Sequence, residues 1–245
     1  MMKILVIDDE KPTLTMFRLF LQAYGYEVLV AADGKTGMEI VGEQRPQIVF
    51  TDLKMPEMDG FEVIKQVKRI APDTEVIVIT GHGDMDLAIR ALNLNATDFI
   101  NKPVRRSALD EALKRAEERI LRPDSRRGRI RWELEGEIAF LVLRGTLDGE
   151  QQGALQEAHE AILRHRPRGV VVDFDVWTTV SGTGISMFVN LLSEFRKQGQ
   201  TTAICGISEN LRTVFDMLGV THSVSVFPTR EDAVRSMDLH SDTVP

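Results

Sequence analysis

The sequence predicts a two-domain α/β protein in which a doubly wound parallel sheet is followed by an α/β domain with a mixed sheet. In the first half, short apolar runs alternate with segments of helical periodicity, which is typical of a parallel sheet covered on both faces. In the second half, a hairpin pattern precedes further strands and helices. With 245 residues, 43% of them hydrophobic, each half has enough apolar material for a core.

The elements of the first half follow from these apolar runs and from the periodic segments between them. We expect strands near 3–7, 27–31, 48–52, 75–79 and 97–101, and helices near 11–24, 35–44, 59–70, 84–93 and 106–121.

The most informative stretch is the apolar run 48–52, which ends on Asp52 and continues into a loop marked by Pro and Gly. In an open α/β sheet, the carboxyl ends of the strands are where ligands bind. The first strand also ends on carboxylates, Asp8 and Asp9, while the fourth ends on Thr80 and the fifth leads into Lys102. The sequence therefore predicts a polar site at this edge of the sheet.

These residues, in this order and spacing, resemble the receiver domain of two-component response regulators. The resemblance covers residues 2 to about 121 and includes the M-P-x-M-D-G loop after Asp52. It implies a flavodoxin-like (βα)5 fold with strand order 2-1-3-4-5. It also implies that Asp52 is the phosphoacceptor and that Thr80 and Lys102 bind the phosphoryl group.

Two further features are implied by the same resemblance. Phe99 occupies the position of the family's switch aromatic, although a phenylalanine in a strand is also ordinary core. Lys102 precedes Pro103, where the family has a cis peptide bond, which an X-Pro amide adopts at little cost.

A magnesium site is expected beside the phosphoacceptor. Carboxylates gathered at one sheet edge repel one another unless a cation is bound, and Mg²⁺ prefers oxygen ligands. Asp8, Asp9 and Asp52 supply those ligands, and the resemblance adds the backbone carbonyl of Lys54. The alternative is that Asp8 or Asp9 only caps the helix that follows.

A basic stretch separates the two halves. Residues 122–129 carry several arginines around Pro123, which breaks a helix and marks a boundary. We expect a receiver domain at 1–121, a basic linker at 122–129 and a second domain at 130–245. Contact of this stretch with nucleic acid or an acidic partner is the alternative to a solvated connector.

The second half begins with a predicted hairpin. Polar and apolar residues alternate from position 131, Gly136 marks a turn, and the apolar run 138–143 follows. The pattern then predicts further elements in order: a helix containing Leu155, Ala158 and Ile162, a strand at 169–174, a helix from about 181 through 197, a strand at 201–207, a helix at 209–218, a strand at 223–227 and a final short helix.

This order resembles the STAS domain of anti-sigma factor antagonists, over about residues 130–238. The motifs are Gly145-Thr146-Leu147-Asp148, Ser181-Gly182-Thr183-Gly184 and Ile207-Ser208-Glu209-Asn210. In that family, a partner kinase phosphorylates a serine before the Gly-x-Gly turn. Here Thr179 stands at the family's Asp, Val180 at the phosphorylated serine and Ser181 at the next serine. Valine cannot accept phosphate, and Ser181 is also a good helix N-cap.

Together the resemblances imply a response regulator whose Mg²⁺-dependent phosphorylation at Asp52 controls a STAS output domain. The expected partners are a sensor histidine kinase and an anti-sigma factor or serine kinase, and the receiver half is a candidate for homodimerisation. We expect binding rather than enzymatic turnover.

Two other functions are considered. An Asp-nucleophile phosphohydrolase would need a second Asp where Lys54 stands. A DNA-binding transcriptional regulator would need a helix-turn-helix or winged-helix output, which the acidic second half does not offer.

Composition sets the remaining expectations. No apolar run approaches the roughly 18 residues of a membrane span, and the amino terminus lacks a signal-peptide pattern, so we expect a cytoplasmic protein without membrane contact. The net charge of −7 does not favour nucleic acid as a partner. Cys205 lies in an apolar run, which favours a buried strand residue over a reactive thiol.

Overall fold

The computed structural model describes residues 1–81, 84–121, 128–175 and 177–239. The chain divides into two compact units, Met1–Arg122 and Pro123–Pro245. Most of the predicted basic linker, residues 122–127, lies outside the described residues. Among the residues that are described, no helix is both long enough and apolar enough to cross a membrane.

The first unit is the predicted alternation of strands and helices around one parallel sheet. The strands are β1 (Lys3–Ile7), β2 (Glu27–Ala31), β3 (Ile48–Asp52), β4 (Glu75–Thr80) and β5 (Asp98–Asn101). The helices are α1 (Lys11–Ala23), α2 (Gly34–Gln44), α3 (Gly60–Ile70), α4 (Met85–Asn93) and α5 (Arg106–Leu121). The strand order β2-β1-β3-β4-β5 confirms the prediction, and every ladder between these strands is parallel.

The loop after Asp52 is shaped by its polar and small residues. Asp59 is the N-cap of α3, and its Oδ1 accepts a hydrogen bond of 2.9 Å from the backbone N–H of Glu62. At Gly60, an added Cβ would lie 2.2 Å from the backbone oxygen of Asp52. A larger residue would therefore push the start of α3 away from the end of β3.

Aromatic and aliphatic side chains from α1 and α5 cover one face of this sheet. The rings of Phe17 and Phe50 lie 5.3 Å apart between α1 and β3, and both side chains are fully buried. From α5, Ala112 and Ala116 pack into the same cluster with Ile100 of β5. Small residues at these helical positions let α5 lie close to the sheet.

Buried ion pairs hold α5 against the starts of β4 and β5. Arg115 donates from Nε to Asp98 Oδ2 over 2.6 Å, and both residues are buried. Arg119 donates from Nε to Glu75 Oε2 over 3.0 Å. Burial alone would raise the pKa of Glu75, but the charges of Arg119 and Lys68, together with hydrogen bonds, outweigh burial and hold the pKa below its usual value.

The second unit has a mixed sheet in the order β12-β11-β9-β7-β6. Its strands are β6 (Arg129–Glu135), β7 (Ile138–Arg144), β9 (Gly169–Phe174), β11 (Thr201–Cys205) and β12 (Ser225–Phe227), and its helices are α6 (Gln152–Arg164), α7 (Gly182–Lys197), α8 (Glu209–Met217) and α9 (Arg230–Leu239). The predicted hairpin is β6 and β7, which pair antiparallel, while β7, β9, β11 and β12 pair parallel.

Two short strands of the second unit were missed by the sequence prediction. They are β8 (Thr146–Leu147) and β10 (Thr179–Val180), which pair in parallel and form a separate two-stranded sheet. A two-residue strand is too short to show a periodic pattern, and its partner lies far away in sequence. This small sheet fixes the loop that precedes α7.

A prediction follows from the buried pair on α5. Replacing Arg115 by alanine removes the guanidinium that contacts the buried carboxylate of Asp98, so we expect a loss of about 3–5 kcal/mol in the free energy of unfolding. The matched control is Lys65→Ala, which removes an exposed pair with Glu62 and should cost far less. Urea denaturation followed by circular dichroism measures both variants, and equal losses would contradict the prediction.

Candidate functional site

The ends of β1 and β3 bring the predicted acidic residues together. Ile7 pairs with Thr51 in the register of these strands, so the next residues, Asp8 and Asp52, lie side by side. One carboxylate oxygen from each of Asp8, Asp9 and Asp52 lies within 4.8 Å of the others. Asp8 and Asp52 are buried, whereas Asp9 is exposed. The predicted cluster is therefore present, and it opens to solvent on the side of Asp9.

Asp8 is a buried carboxylate with incomplete hydrogen bonding. Its Oδ1 accepts a hydrogen bond of 2.8 Å from the backbone N–H of Glu10, while its Oδ2 has no hydrogen-bond partner among the described residues. Lys102 Nζ lies 3.3 Å from that oxygen and forms an ion pair with it. Burial raises the pKa of Asp8 above its usual value. A further cation would stabilise the ionised form.

Lys102 places its ammonium among three carboxylates. Its Nζ lies 3.2 Å from Asp52 Oδ2, 3.2 Å from Glu10 Oε2 and 3.3 Å from Asp8 Oδ2. Burial alone would lower the pKa of Lys102, but the charges of Asp52 and Asp8 and the hydrogen bonds outweigh it and raise the pKa above its usual value. The bond between Lys102 and Pro103 is cis, as expected.

Thr80 and Phe99 lie on β4 and β5, the two strands that follow β3 in the order of the sheet. Thr80 ends β4, and its backbone oxygen accepts a hydrogen bond of 2.7 Å from the N–H of Lys102. The hydroxyl of Thr80 is buried and has no hydrogen-bond partner in the described part of the chain. Phe99 lies within β5 and is fully buried. The structure thus gathers Asp8, Asp52 and Lys102 in direct contact and sets the unsatisfied hydroxyl of Thr80 on the strand between β3 and β5.

The donor set fits a Mg²⁺ ion. Three carboxylates within reach of one point, one of them with an unsatisfied buried oxygen, are the oxygen ligands that Mg²⁺ prefers. Helix capping does not account for these residues, because the N-cap of α1 is Glu10 and no side chain caps that helix. The backbone carbonyl of Lys54 as a further ligand remains a prediction.

Two contacts of this site were missed by the sequence reasoning. Glu10 binds Lys102, a contact whose one available signal was its place directly after Asp8 and Asp9. The ammonium of Lys54 lies 2.7 Å from Asp84 Oδ2, in the loop before α4. No pattern in the sequence joins positions 54 and 84, because the contact depends on how two separate loops meet.

The predicted loop of the second unit precedes α7. Thr179 Oγ1 and Thr146 Oγ1 lie 3.2 Å apart, across the β8–β10 pair. Val180 is buried, at 4% exposure. Ser181 is the N-cap of α7, and its Oγ accepts a hydrogen bond of 3.1 Å from the N–H of Gly184. The capping interpretation of Ser181 is confirmed, and each hydroxyl of this loop already contacts its own domain.

Cys205 ends β11 as a buried residue, which confirms the prediction of a buried strand cysteine. Its Sγ lies 3.7 Å from Asp173 Oδ1. Burial and the neighbouring charge of Asp173 raise the pKa of the Cys205 thiol to about 12. The thiol is therefore held in its unreactive, protonated form.

Comparison with protein families assigns both units. Residues 4–114 match the family described as response regulator receiver domain, and residues 129–233 match the family described as STAS domain. The Chemotaxis protein CheY of Thermotoga maritima is 36% identical over 112 residues, which cover 45% of this chain and 93% of that protein.

Two further similarities are to a longer regulator and to a solved structure. The Transcriptional regulatory protein GlrR of Escherichia coli is 32% identical over 110 residues, and the chain covers only 25% of its length. Among solved structures, a response regulator receiver domain protein from Clostridium thermocellum has 38% identity and a TM-score of 0.47, covering 51% of this chain and 98% of that one.

The carboxylate cluster predicts a response to magnesium. Mg²⁺ at 100 times its dissociation constant should stabilise the protein by about 2.7 kcal/mol, because it binds the folded cluster. Asp8→Asn removes a buried charge, so it should raise the melting temperature without Mg²⁺ and reduce the Mg²⁺ effect. Thermal unfolding with and without Mg²⁺ checks this. The control Asp59→Asn, outside the cluster, should keep the full effect; an unchanged Mg²⁺ effect in Asp8→Asn would contradict the assignment.

The thiol of Cys205 should resist alkylation in the folded protein. A pKa of about 12 instead of 9.0 lowers the thiolate fraction at pH 8 roughly a thousandfold, and burial slows the reaction further. Mass spectrometry after iodoacetamide treatment measures the rate, with the urea-unfolded chain as the control. Alkylation of the folded protein at the rate of the unfolded chain would contradict this prediction.

Proposed function

Because residues 4–114 belong to the response regulator receiver domain family and residues 129–233 to the STAS domain family, we propose that this protein is a two-component response regulator. In this proposal, Mg²⁺-dependent phosphorylation of Asp52 controls the binding of a protein partner by the STAS half. The observation that carries the proposal is the contact of Lys102 Nζ with both Asp8 and Asp52, at 3.3 and 3.2 Å.

Asp52 is the proposed nucleophile. One carboxylate oxygen forms a bond to phosphorus while the bond from phosphorus to the donor breaks, and its electron pair leaves with the donor. The proposed donor is the phosphohistidine of a sensor kinase. The N–H of Leu53 donates to Asp52 Oδ1 over 2.9 Å, which holds the carboxylate in place. A Mg²⁺ ion held by Asp8, Asp9 and Asp52 would neutralise charge on the phosphoryl oxygens.

Lys102 and Thr80 are the proposed groups that stabilise the phosphorylated state. The ammonium of Lys102 already lies 3.2 Å from Asp52 Oδ2 and can pair with a phosphoryl oxygen there. The hydroxyl of Thr80, buried and unsatisfied in the described structure, gains a hydrogen-bond acceptor when the phosphoryl group arrives. Formation of these two contacts is the proposed switching event.

The switch is proposed to reach the rest of the molecule through β5 and α5. Phe99 lies between Lys102, which directly follows β5, and Asp98, which binds Arg115 of α5. A shift of Lys102 toward the phosphoryl group therefore acts on a strand that is tied to α5. The helix α5 is also the last described element before the predicted linker.

The STAS half is proposed to bind an anti-sigma factor or a serine kinase without being phosphorylated itself. Val180 has no hydroxyl and is buried, while Ser181 is occupied in capping α7. Control of binding therefore moves to Asp52 in the first half. Turnover of a substrate is not part of the proposal, since Lys54, paired with Asp84, stands where a phosphohydrolase needs a second carboxyl group.

Phosphorylation of Asp52 is tested with a small phosphodonor. Wild type should incorporate phosphate in a Mg²⁺-dependent reaction, and Asp52→Asn should not, because an amide is not a nucleophile for this transfer. Asp9→Ala should lose labelling through loss of the metal, and the exposed N-cap variant Asp59→Asn should retain it. Mass spectrometry after borohydride trapping measures the product. Wild-type labelling in Asp52→Asn would reject the assignment.

Control of the STAS half is tested by partner binding. Allosteric coupling is typically about 1–3 kcal/mol, so beryllofluoride, which mimics the phosphoryl group, should change partner affinity roughly 5- to 150-fold. Binding of an anti-sigma factor or switch kinase to the full-length protein is measured by calorimetry, with Asp52→Asn as the control that should not respond. The four samples are wild type and Asp52→Asn, each with and without beryllofluoride. Equal partner affinities in all of them would show that phosphorylation does not control this binding.

A further inference from the structure

The strand β6 (Arg129–Glu135) forms one edge of the second sheet. Within the described part of the chain it pairs with β7 alone. In an antiparallel ladder, every second residue directs its N–H and C=O away from the neighbouring strand. The outer side of β6 therefore carries backbone donors and acceptors that a further strand could bind.

The two faces of β6 differ in chemistry. The charged residues Arg129, Arg131, Glu133 and Glu135 alternate with Ile130, Trp132 and Leu134, so each set lies on its own face of the sheet. Leu134 is 40% exposed, although Trp132 packs on the ring of His165 at 5.0 Å. A neighbouring strand at this edge could therefore contact charged side chains on one face and apolar side chains on the other.

The order of these residues makes β6 complementary to itself. When a second copy of the strand runs antiparallel with Trp132 opposite Trp132, Arg131 lies opposite Glu133 and Arg129 lies opposite Glu135. The two-fold axis generates each pair twice. On the other face, Ile130 lies opposite Leu134. Directly opposed pairs of these kinds stabilise a ladder.

Other alignments place like charges together. A shift by two residues in either direction brings Arg131 opposite Arg131 or Glu133 opposite Glu133, and an in-register parallel pair does so at every charged position. Like charges that are directly opposed destabilise a ladder. The antiparallel register centred on Trp132 is therefore the favoured one.

We propose that β6 is a homodimer interface, in which the edge strands of two copies pair antiparallel about Trp132 and join the two mixed sheets into one. Such an interface is isologous, since the same surface serves both copies. Charges on an edge strand also serve to prevent association. Preventing association requires only that charges are present. It does not require the order found in β6, in which the charges of two copies become complementary in one antiparallel register.

The glutamates of β6 are already positioned for such pairing. Arg230 donates to Glu133 Oε1 over 2.6 Å and to Glu135 Oε1 over 3.0 Å, while its guanidinium lies 3.5 Å from the ring centre of Phe140. A carboxylate accepts several hydrogen bonds, so each glutamate can bind an arginine of a second copy in addition. Fixing the carboxylates beforehand lowers the entropic cost of the new contacts.

The test exchanges the charges of the central pair in the full-length protein. Arg131→Glu and Glu133→Lys each create two repulsive pairs in a homodimer, so each should weaken dimerisation at least about tenfold. Mixing the two variants restores two attractive pairs and should restore the dimer. Sedimentation velocity over a concentration series measures this, and circular dichroism checks that both variants fold; Arg129→Glu with Glu135→Lys is the second pair if either does not.

The register is tested separately by a cysteine on the two-fold axis. Trp132→Cys should form a disulfide between copies under mild oxidation, because directly opposed Cβ atoms lie about 4.5–5.5 Å apart. Arg131→Cys, whose copies are not opposed, should cross-link far more slowly. The buried Cys205 does not interfere. Any of four results would overturn the proposal. The wild-type protein could remain monomeric at millimolar concentration, or the dimer could survive both charge reversals. The mixture of folded variants could stay monomeric, or both cysteines could cross-link equally.

Discussion

The contact of one ammonium with three carboxylates is the constraint on which the first unit depends. Lys102 lies within 3.3 Å of oxygens from Asp8, Glu10 and Asp52, so the three acids exceed the one cation by two charges before Asp9 is counted. One of these acids is fully buried. A buried charge is costly without a partner, so these carboxylates require a further cation beside Asp52. The proposed phosphoryl group would require positive charge at the same place.

The opposite end of the same strands carries a different kind of electrostatic contact. At the starts of β4 and β5, Glu75 and Asp98 are bound by Arg119 and Arg115, and these pairs are largely shielded from water. The polar site lies at the other ends of those strands. The strand β5, of four residues, therefore connects the anchor of α5 with Lys102.

The sequence was sufficient to locate the strands of the first unit and the polar residues that end them, because apolar runs and their ends are local features of a parallel sheet. The strand order came from the resemblance to the receiver family. It was not sufficient for contacts made by long side chains. Arg115 looks like part of a polar helix face, yet it is buried on Asp98. Glu10 and Lys102 are 92 positions apart. The strands β8 and β10 have two residues each. They form through tertiary pairing, which the periodicity of the sequence does not predict.

The loop before α7 explains in physical terms why a switch there would be costly. Phosphate on Ser181 would esterify the oxygen that accepts from the N–H of Gly184 and caps α7. Thr179 lies in β10, against Thr146, so modification there would separate the two short strands. Both hydroxyls support the local fold of the second unit. A charge added at Asp52, by contrast, arrives at a site where Lys102 is in contact and Thr80 is unsatisfied, so it completes interactions instead of breaking them.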